Sequence, residues 1–127
     1  MGNSTCQNRD NSMSYYIATS HHETTELGSI FLAIDKGLLN SALLKYDHNH
    51  PITSYASNFP SGTPDYRPED AGTGDIGSLS YVTGVAISNQ QPIPIFRIYV
   101  PQKGYRRFHL NSTYKQFSRM PDYYYEK

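Results

Sequence analysis

The chain has no tryptophan, one cysteine and no net charge, with 11 Lys and Arg against 11 Asp and Glu in 127 residues. Each lack excludes something. A lone Cys6 rules out an internal disulfide and any cysteine-built metal site. Zero net charge argues against a nucleic-acid partner, which needs a basic excess, and against long-range electrostatic steering. No run of about 18 apolar residues occurs, so no segment reads as a transmembrane helix. No charged-then-apolar leader opens the chain, so its compartment is open: cytoplasmic, or secreted as a mature form. The Gly-x-Ser-x-Gly elbow of a Ser-His-Asp hydrolase is missing.

What is present is tyrosine, 12 in all, with 9 glycines and 8 prolines among many Ser, Thr and Asn. Tyrosine and β-branched residues favour strands. Pro and Gly at regular intervals punctuate them as in sandwiches and barrels. Charge is uneven along the chain. Arg97, Lys103, Arg106, Arg107, Lys115 and Arg119 face no acid between Gln91 and Arg119, whereas Asp65, Glu69, Asp70 and Asp75 crowd a Pro/Gly-rich loop. The simplest reading is that these two halves attract each other in the fold.

Residues 1–12 read as a flexible polar tail, because they carry no apolar pattern. Their start, with Gly2 and Cys6, approximates a myristoylation motif with a cysteine in place of Ser or Thr. Asn3 and Asn111 head glycosylation sequons, which matter only if the chain is secreted. Strands are expected at Ser14–Ser20, Ile30–Ile34, Leu38–Tyr46 (with a helix as rival there), Ile52–Phe59, Leu79–Ser88, Ile93–Val100, Tyr105–Ser112 and Asp122–Lys127. In Ile93–Val100, the clearest of these, Ile93, Ile95, Arg97 and Tyr99 alternate with Phe96, Ile98 and Val100.

Two internal matches point to repetition. Pro51-Ile52, Tyr55, Pro60 and Gly62 parallel Pro92-Ile93, Phe96, Pro101 and Gly104. Glu26-Leu27-Gly28-Ser29-Ile30 parallels Asp75-Ile76-Gly77-Ser78-Leu79. The chain divides into three β units of about 40 residues, 14–48, 50–88 and 91–127. Each is too short to bury a face alone. The expected fold is therefore all-β with little helix: a compact pseudo-threefold domain over 13–127, trefoil- or prism-like.

The pattern resembles a repeat module of undetermined function found on secreted bacterial and fungal hydrolases and in some animal proteins. Those repeats read roughly Pro-Leu-Tyr-Arg-Tyr-Tyr-Asn-Pro-x-x-Gly-Asp-His-Phe-Tyr-Thr-Thr, then Glu, then Tyr-x-x-Glu-Gly-Val/Ile-Ala. Pro92, Phe96, Arg97, Tyr99, Pro101 and Gly104 match the first part, Tyr16, Thr19 and Glu23 the middle, and Tyr81, Gly84, Val85 and Ala86 the end. The chain departs at Asp65-Tyr66-Arg67-Pro68, where the family has His-Phe-Tyr-Thr, and at Thr83, where it has Glu. The resemblance implies a carbohydrate- or cell-wall-binding role.

The candidate site residues lie on the turns of the units, since strand interiors are committed to packing. They are Tyr16, His22 and Glu23 in unit one, Tyr66, Arg67 and Asp70 in unit two, and Arg107, His109 and Asn111 in unit three. Each set joins planar groups to hydrogen-bonding ones, as sugar recognition requires. The expected function is non-enzymatic, lectin-like binding of a glycan or glycoconjugate without a cofactor. One alternative is a protein-interaction module forming a homo-oligomer. Another is a small glycan hydrolase using Glu69, Asp70 and Asp75.

Of the two histidine clusters, His21-His22-Glu23 with Glu26 reads as a solvated strand end and turn rather than a helical metal pair of His22 and Glu26, and His48-Asn49-His50 matches a nuclease motif in letters only, so no metal is expected. Gly72-Thr73-Gly74-Asp75-Ile76-Gly77 fits a dinucleotide-binding pattern in letters only, lacking the flanking strand and helix.

Overall fold

The computed structural model describes residues 2–18, 41–50, 59–100, 103–119 and 125–126. Strands β1 (Gly2–Asn8), β2 (Met13–Ala18), β3 (Ser41–Asn49), β4 (Ile95–Val100) and β5 (Gly104–Phe108) form one sheet in the order β2-β1-β3-β4-β5. Helix α1 (Gly74–Ser88) lies in the chain between β3 and β4, preceded by a 3-10 turn (Pro68–Asp70), and α2 (Tyr114–Ser118) follows β5.

The strand-rich character expected from composition is there, as a mixed five-stranded sheet. Its β3–β4 pair is parallel and the other pairs are antiparallel. A parallel pair needs a long connection that returns the chain to the same end of the sheet, and α1 lies within it. The alternation expected in β4 is observed: Phe96, Ile98 and Val100 are buried. β3 also forms as a strand, placing Tyr46 and His48 on one face and Asp47 on the other.

Two expectations fail. Residues 1–12 do not form a tail. Gly2–Asn8 pairs with β2 on one side and β3 on the other. Small inward groups at alternate positions, Ser4 and Cys6, are buried. A polar composition concealed a period-two pattern whose inward residues are small. The buried Cys6 thiol is also no exposed lipid attachment point in this fold.

The second failure is at Leu79–Ser88, which lies within α1 rather than in a strand. Its buried residues Asp75, Ile76, Leu79, Val82, Thr83 and Ala86 follow helical spacing. Val, Ile, Tyr and Thr, all strand formers, populate the segment, so propensity pointed one way and spacing the other. Exposed Tyr81 and Ile87 on the outer face blur the contrast that would have revealed a helix.

Units two and three, matched in sequence, differ in content. Among the described residues, 50–88 hold the 3-10 turn and α1 and no strand, while 91–127 hold β4, β5 and α2. No threefold arrangement is visible among the described residues. The expected strands at Ile30–Ile34 and Ile52–Phe59 lie outside them, apart from Phe59 itself, which is in no strand.

The core lies where α1 and the loops before and after it meet the sheet. Tyr46, Phe96, Ile98 and Phe108 from the strands cluster with Ile76, Leu79 and Val82 of α1 and with Phe59, Phe117 and Tyr125. This packing sets the N-terminal end of α1 beside the end of β3.

Candidate metal centre

β3 runs out at Asn49, and the chain continues to His50. Strand geometry repeats every two residues, so His48 and His50 project to the same side. Facing them is Asp75, in the first turn of α1, where the helix dipole favours a carboxylate. His48 Nε2 lies 3.0 Å from Asp75 Oδ1, His50 Nε2 lies 2.9 Å from Oδ2, and the two Nε2 atoms are 3.1 Å apart.

The loop before α1 fixes the carboxylate. Ser61 N–H donates to Asp75 Oδ2 at 2.9 Å, and Asp75 N–H donates to Ser61 Oγ at 2.8 Å. This close approach needs glycine on both sides of the contact. Gly62 has φ +88° and Gly74 φ +55°, and a Cβ on either would collide with Thr73 or Ser61 respectively.

The site is enclosed. Asp75 is 5% exposed and His48 is 7% exposed. Tyr46 stacks on the His48 ring, and Phe108 meets it edge-on with centroids 6.3 Å apart. Burial by itself would raise the Asp75 pKa. The hydrogen bonds and charges of His48 and His50 outweigh it and hold the carboxyl well below its usual range.

Comparison of this chain with protein-family models, curated proteins and solved structures finds no match. The site is therefore interpreted from its own atoms. Two imidazole nitrogens and a carboxylate oxygen converge within 4.8 Å of one another. If both rings present N–H groups to the carboxylate, two donors crowd each other at 3.1 Å. If both present lone pairs, one cation satisfies all three groups. Bonds of about 2.1 Å at tetrahedral angles put ligand atoms roughly 3.4 Å apart, so these groups, at 2.9–3.1 Å, would open by a few tenths of an ångström to seat a zinc ion. A set of two histidines and one carboxylate leaves coordination positions open for water or substrate, the mark of a catalytic rather than a structural ion.

The sequence-derived candidates fall elsewhere. Tyr16 lies in β2, and His22 and Glu23 lie outside the described residues. Tyr66, Arg67 and Asp70 are brought together around a recess of about 180 Å³ that also takes in Phe59, Ser61 and Thr63. Arg107, His109 and Asn111 line a second concavity with Leu79 and Thr83 of α1. The proposed glycosidase carboxylates are split. Asp75 is buried with the histidines, whereas Arg67 Nε lies 3.1 Å from Asp70 and 3.4 Å from Glu69 at the surface.

Two readings are thereby corrected, and Asp47 and His48, given no role in the sequence reading, are buried in β3. Asp75 is not an exposed loop acid. The Gly72–Gly77 run, read as lacking a helix, in fact opens α1 at Gly74, with a 3-10 turn rather than a strand before it. The signal that was missed is His-x-His at the end of a strand-like run, followed by an Asp where a helix begins. Among the described residues no helix is long and apolar enough to cross a membrane.

Proposed function

We propose that this protein is a zinc-dependent hydrolase whose ion is held by His48, His50 and Asp75. The observation that carries the reading is the convergence of two imidazole nitrogens, 3.1 Å apart, on the two oxygens of one buried carboxylate at 3.0 and 2.9 Å. Bound there, zinc lowers the pKa of a coordinated water and polarises a carbonyl or phosphoryl oxygen. Asp75 supplies negative charge, the two imidazoles supply neutral ligands, and Ser61 holds the carboxylate in place. Ser61 also lines the recess beside Phe59, Tyr66 and Asp70, which makes that recess the substrate's approach. The test is a panel of fluorogenic peptide and ester substrates. Activity should vanish on dialysis against a chelator and return with zinc, and should be lost in His50→Ala. Turnover unaffected by chelation would refute metal-dependent hydrolysis.

A second reading, glycan binding by the same recess, has its own observation. Tyr66 packs against Phe59 and Tyr114 with centroids 4.9 and 5.0 Å apart, beside Arg67 and Asp70. The Thr63 hydroxyl there is buried without a partner among the described residues. Aromatic faces with adjacent polar groups suit a sugar ring. A glycan array with the wild type and Arg67→Ala separates the readings: binding that is lost in the variant and insensitive to chelation favours a lectin-like module.

A further inference from the structure

The sheet ends on β2 at one side and on β5 at the other. An edge strand turns half of its backbone N–H and C=O groups away from the sheet, and they template a further strand unless something blocks them. The edge at β5 is blocked. Glu126 bridges to Tyr105, its N–H donating to the Tyr105 carbonyl at 2.8 Å and its carbonyl accepting from Tyr105 N–H at 2.7 Å. Arg106 and Arg107 lie on that strand, and Lys103 directly precedes it.

The edge at β2 carries none of these devices. Met13–Ala18 holds no charge and no proline. Its register with β1 runs from Gln7↔Met13 to Gly2↔Ala18 without a bulge, so nothing twists the edge away. Among the described residues no strand lies beyond it. Tyr15, near its middle, is 73% exposed, and Met13 is 42% exposed. Six residues give an open edge of about 20 Å.

Backbone groups in a row accept only another strand, and the alternation of β2 fits that strand to be its own copy. Residues directly opposite in an antiparallel pair point to the same face. A strand therefore pairs with its own copy, inner face beside inner face, when the twofold axis passes through a residue rather than between two. An axis at Tyr15 meets that condition. It sets Tyr15 opposite Tyr15 of the second copy, an aromatic cross-strand pair, and Met13 opposite position 17. No charge on either strand opposes the approach. We propose that β2 is a self-association edge: two copies pair antiparallel along it, about a twofold axis at Tyr15, and join two five-stranded sheets into one. The contact is isologous and closed, so it gives a dimer and not a fibre. It stands independently of the zinc reading.

The experiment is analytical ultracentrifugation of the full chain from micromolar to millimolar concentration, with cysteine cross-linking to read the register. The wild type should show a reversible monomer–dimer equilibrium, and a weak one, because a single strand edge buries less than about 1,200 Å². Tyr15→Lys should raise the dissociation constant roughly tenfold or more, since it sets two like charges directly opposite. The side chain is exposed, so the monomer should stay folded. Under mild oxidation Tyr15→Cys should give a disulfide-linked dimer, because opposite residues bring their Cβ atoms to roughly 4.5–5.5 Å. Met13→Cys should not link, whereas Met13→Cys combined with Ile17→Cys should. Cys6 is buried and does not compete. A chain that stays monomeric throughout, equal dissociation constants for wild type and Tyr15→Lys, or linking of Met13→Cys as readily as Tyr15→Cys would overturn the proposal.

Discussion

His48 and His50 stand two positions apart on an extended chain, and that spacing alone turns both rings to one side. The spacing stands in the sequence, but it was passed over because the strand was expected to end at Tyr46. What was not legible is Asp75, 25 residues further on from His50 and delivered by the fold. No local pattern announces such a partner, and the Asp, Asn and Pro around the histidines look like turn chemistry. A similar long-range pairing secures the opposite face of β3. Arg97 Nε and Nη2 donate to the two Asp47 oxygens at 2.6 and 2.7 Å, from the position directly across the parallel ladder. Nη1 donates to Glu126, and the guanidinium lies 4.1 Å from the Tyr105 ring centre. Burial opposes the charge, but the Asp47 bond dominates and keeps Arg97 protonated at any accessible pH. Arg97→Met strands a buried carboxylate and should cost about 3–5 kcal/mol in urea unfolding. Arg97→Lys keeps the charge but not the fork, so it should fall between wild type and Met. Equal stability of all three would show that the pair contributes nothing.

At the scale of elements, strands were readable where inward residues are large, as in β4, and hidden where they are small, as in β1. Helix α1 was masked by strand-forming residues. Its two interior glycines give a direct check. At Gly77 an added Cβ meets the Gly72 carbonyl oxygen at 2.7 Å, while at Gly84 nothing among the described residues lies within 4 Å. Gly84→Ala should therefore stabilise the protein by about 0.5–1 kcal/mol, the helix-propensity gain. Gly77→Ala should destabilise it. A destabilising Gly84→Ala would restore the strand reading. Helix α2 begins with a capping box formed by Thr113 and Gln116, and Asp65 adds to it. Its carboxylate accepts from Tyr114 N–H at 2.7 Å and Lys115 N–H at 3.0 Å. Desolvation works against the charged form, but these bonds outweigh it and lower the pKa. A carboxyl with a lowered folded-state pKa stabilises fully above its unfolded value, near 4, and loses that contribution as pH falls through the folded value. Asp65→Asn should thus lower the melting temperature by roughly 2–4 °C at pH 7, as for a lost helix cap. The gap should shrink below about pH 4. A gap independent of pH would mean that the charge is irrelevant.

At the scale of the molecule, one mixed sheet carries a buried histidine pair on β3 and immediately after it, and the connection from β3 to β4 brings the N-terminus of α1 back against that pair. The parallel β3–β4 register, the Ser61 clasp and the two positive-φ glycines all serve to hold Asp75 there. A cluster built only for stability has no need of three converging ligand atoms. It would also leave the protein indifferent to metal. Calorimetric titration of zinc into the metal-free chain decides between these accounts. One ion per chain should bind with sub-micromolar affinity, and His48→Ala and Asp75→Asn should each weaken it by a factor of about 100 or more. No saturable uptake, or uptake unchanged in both variants, would contradict the assignment of a metal centre to His48, His50 and Asp75.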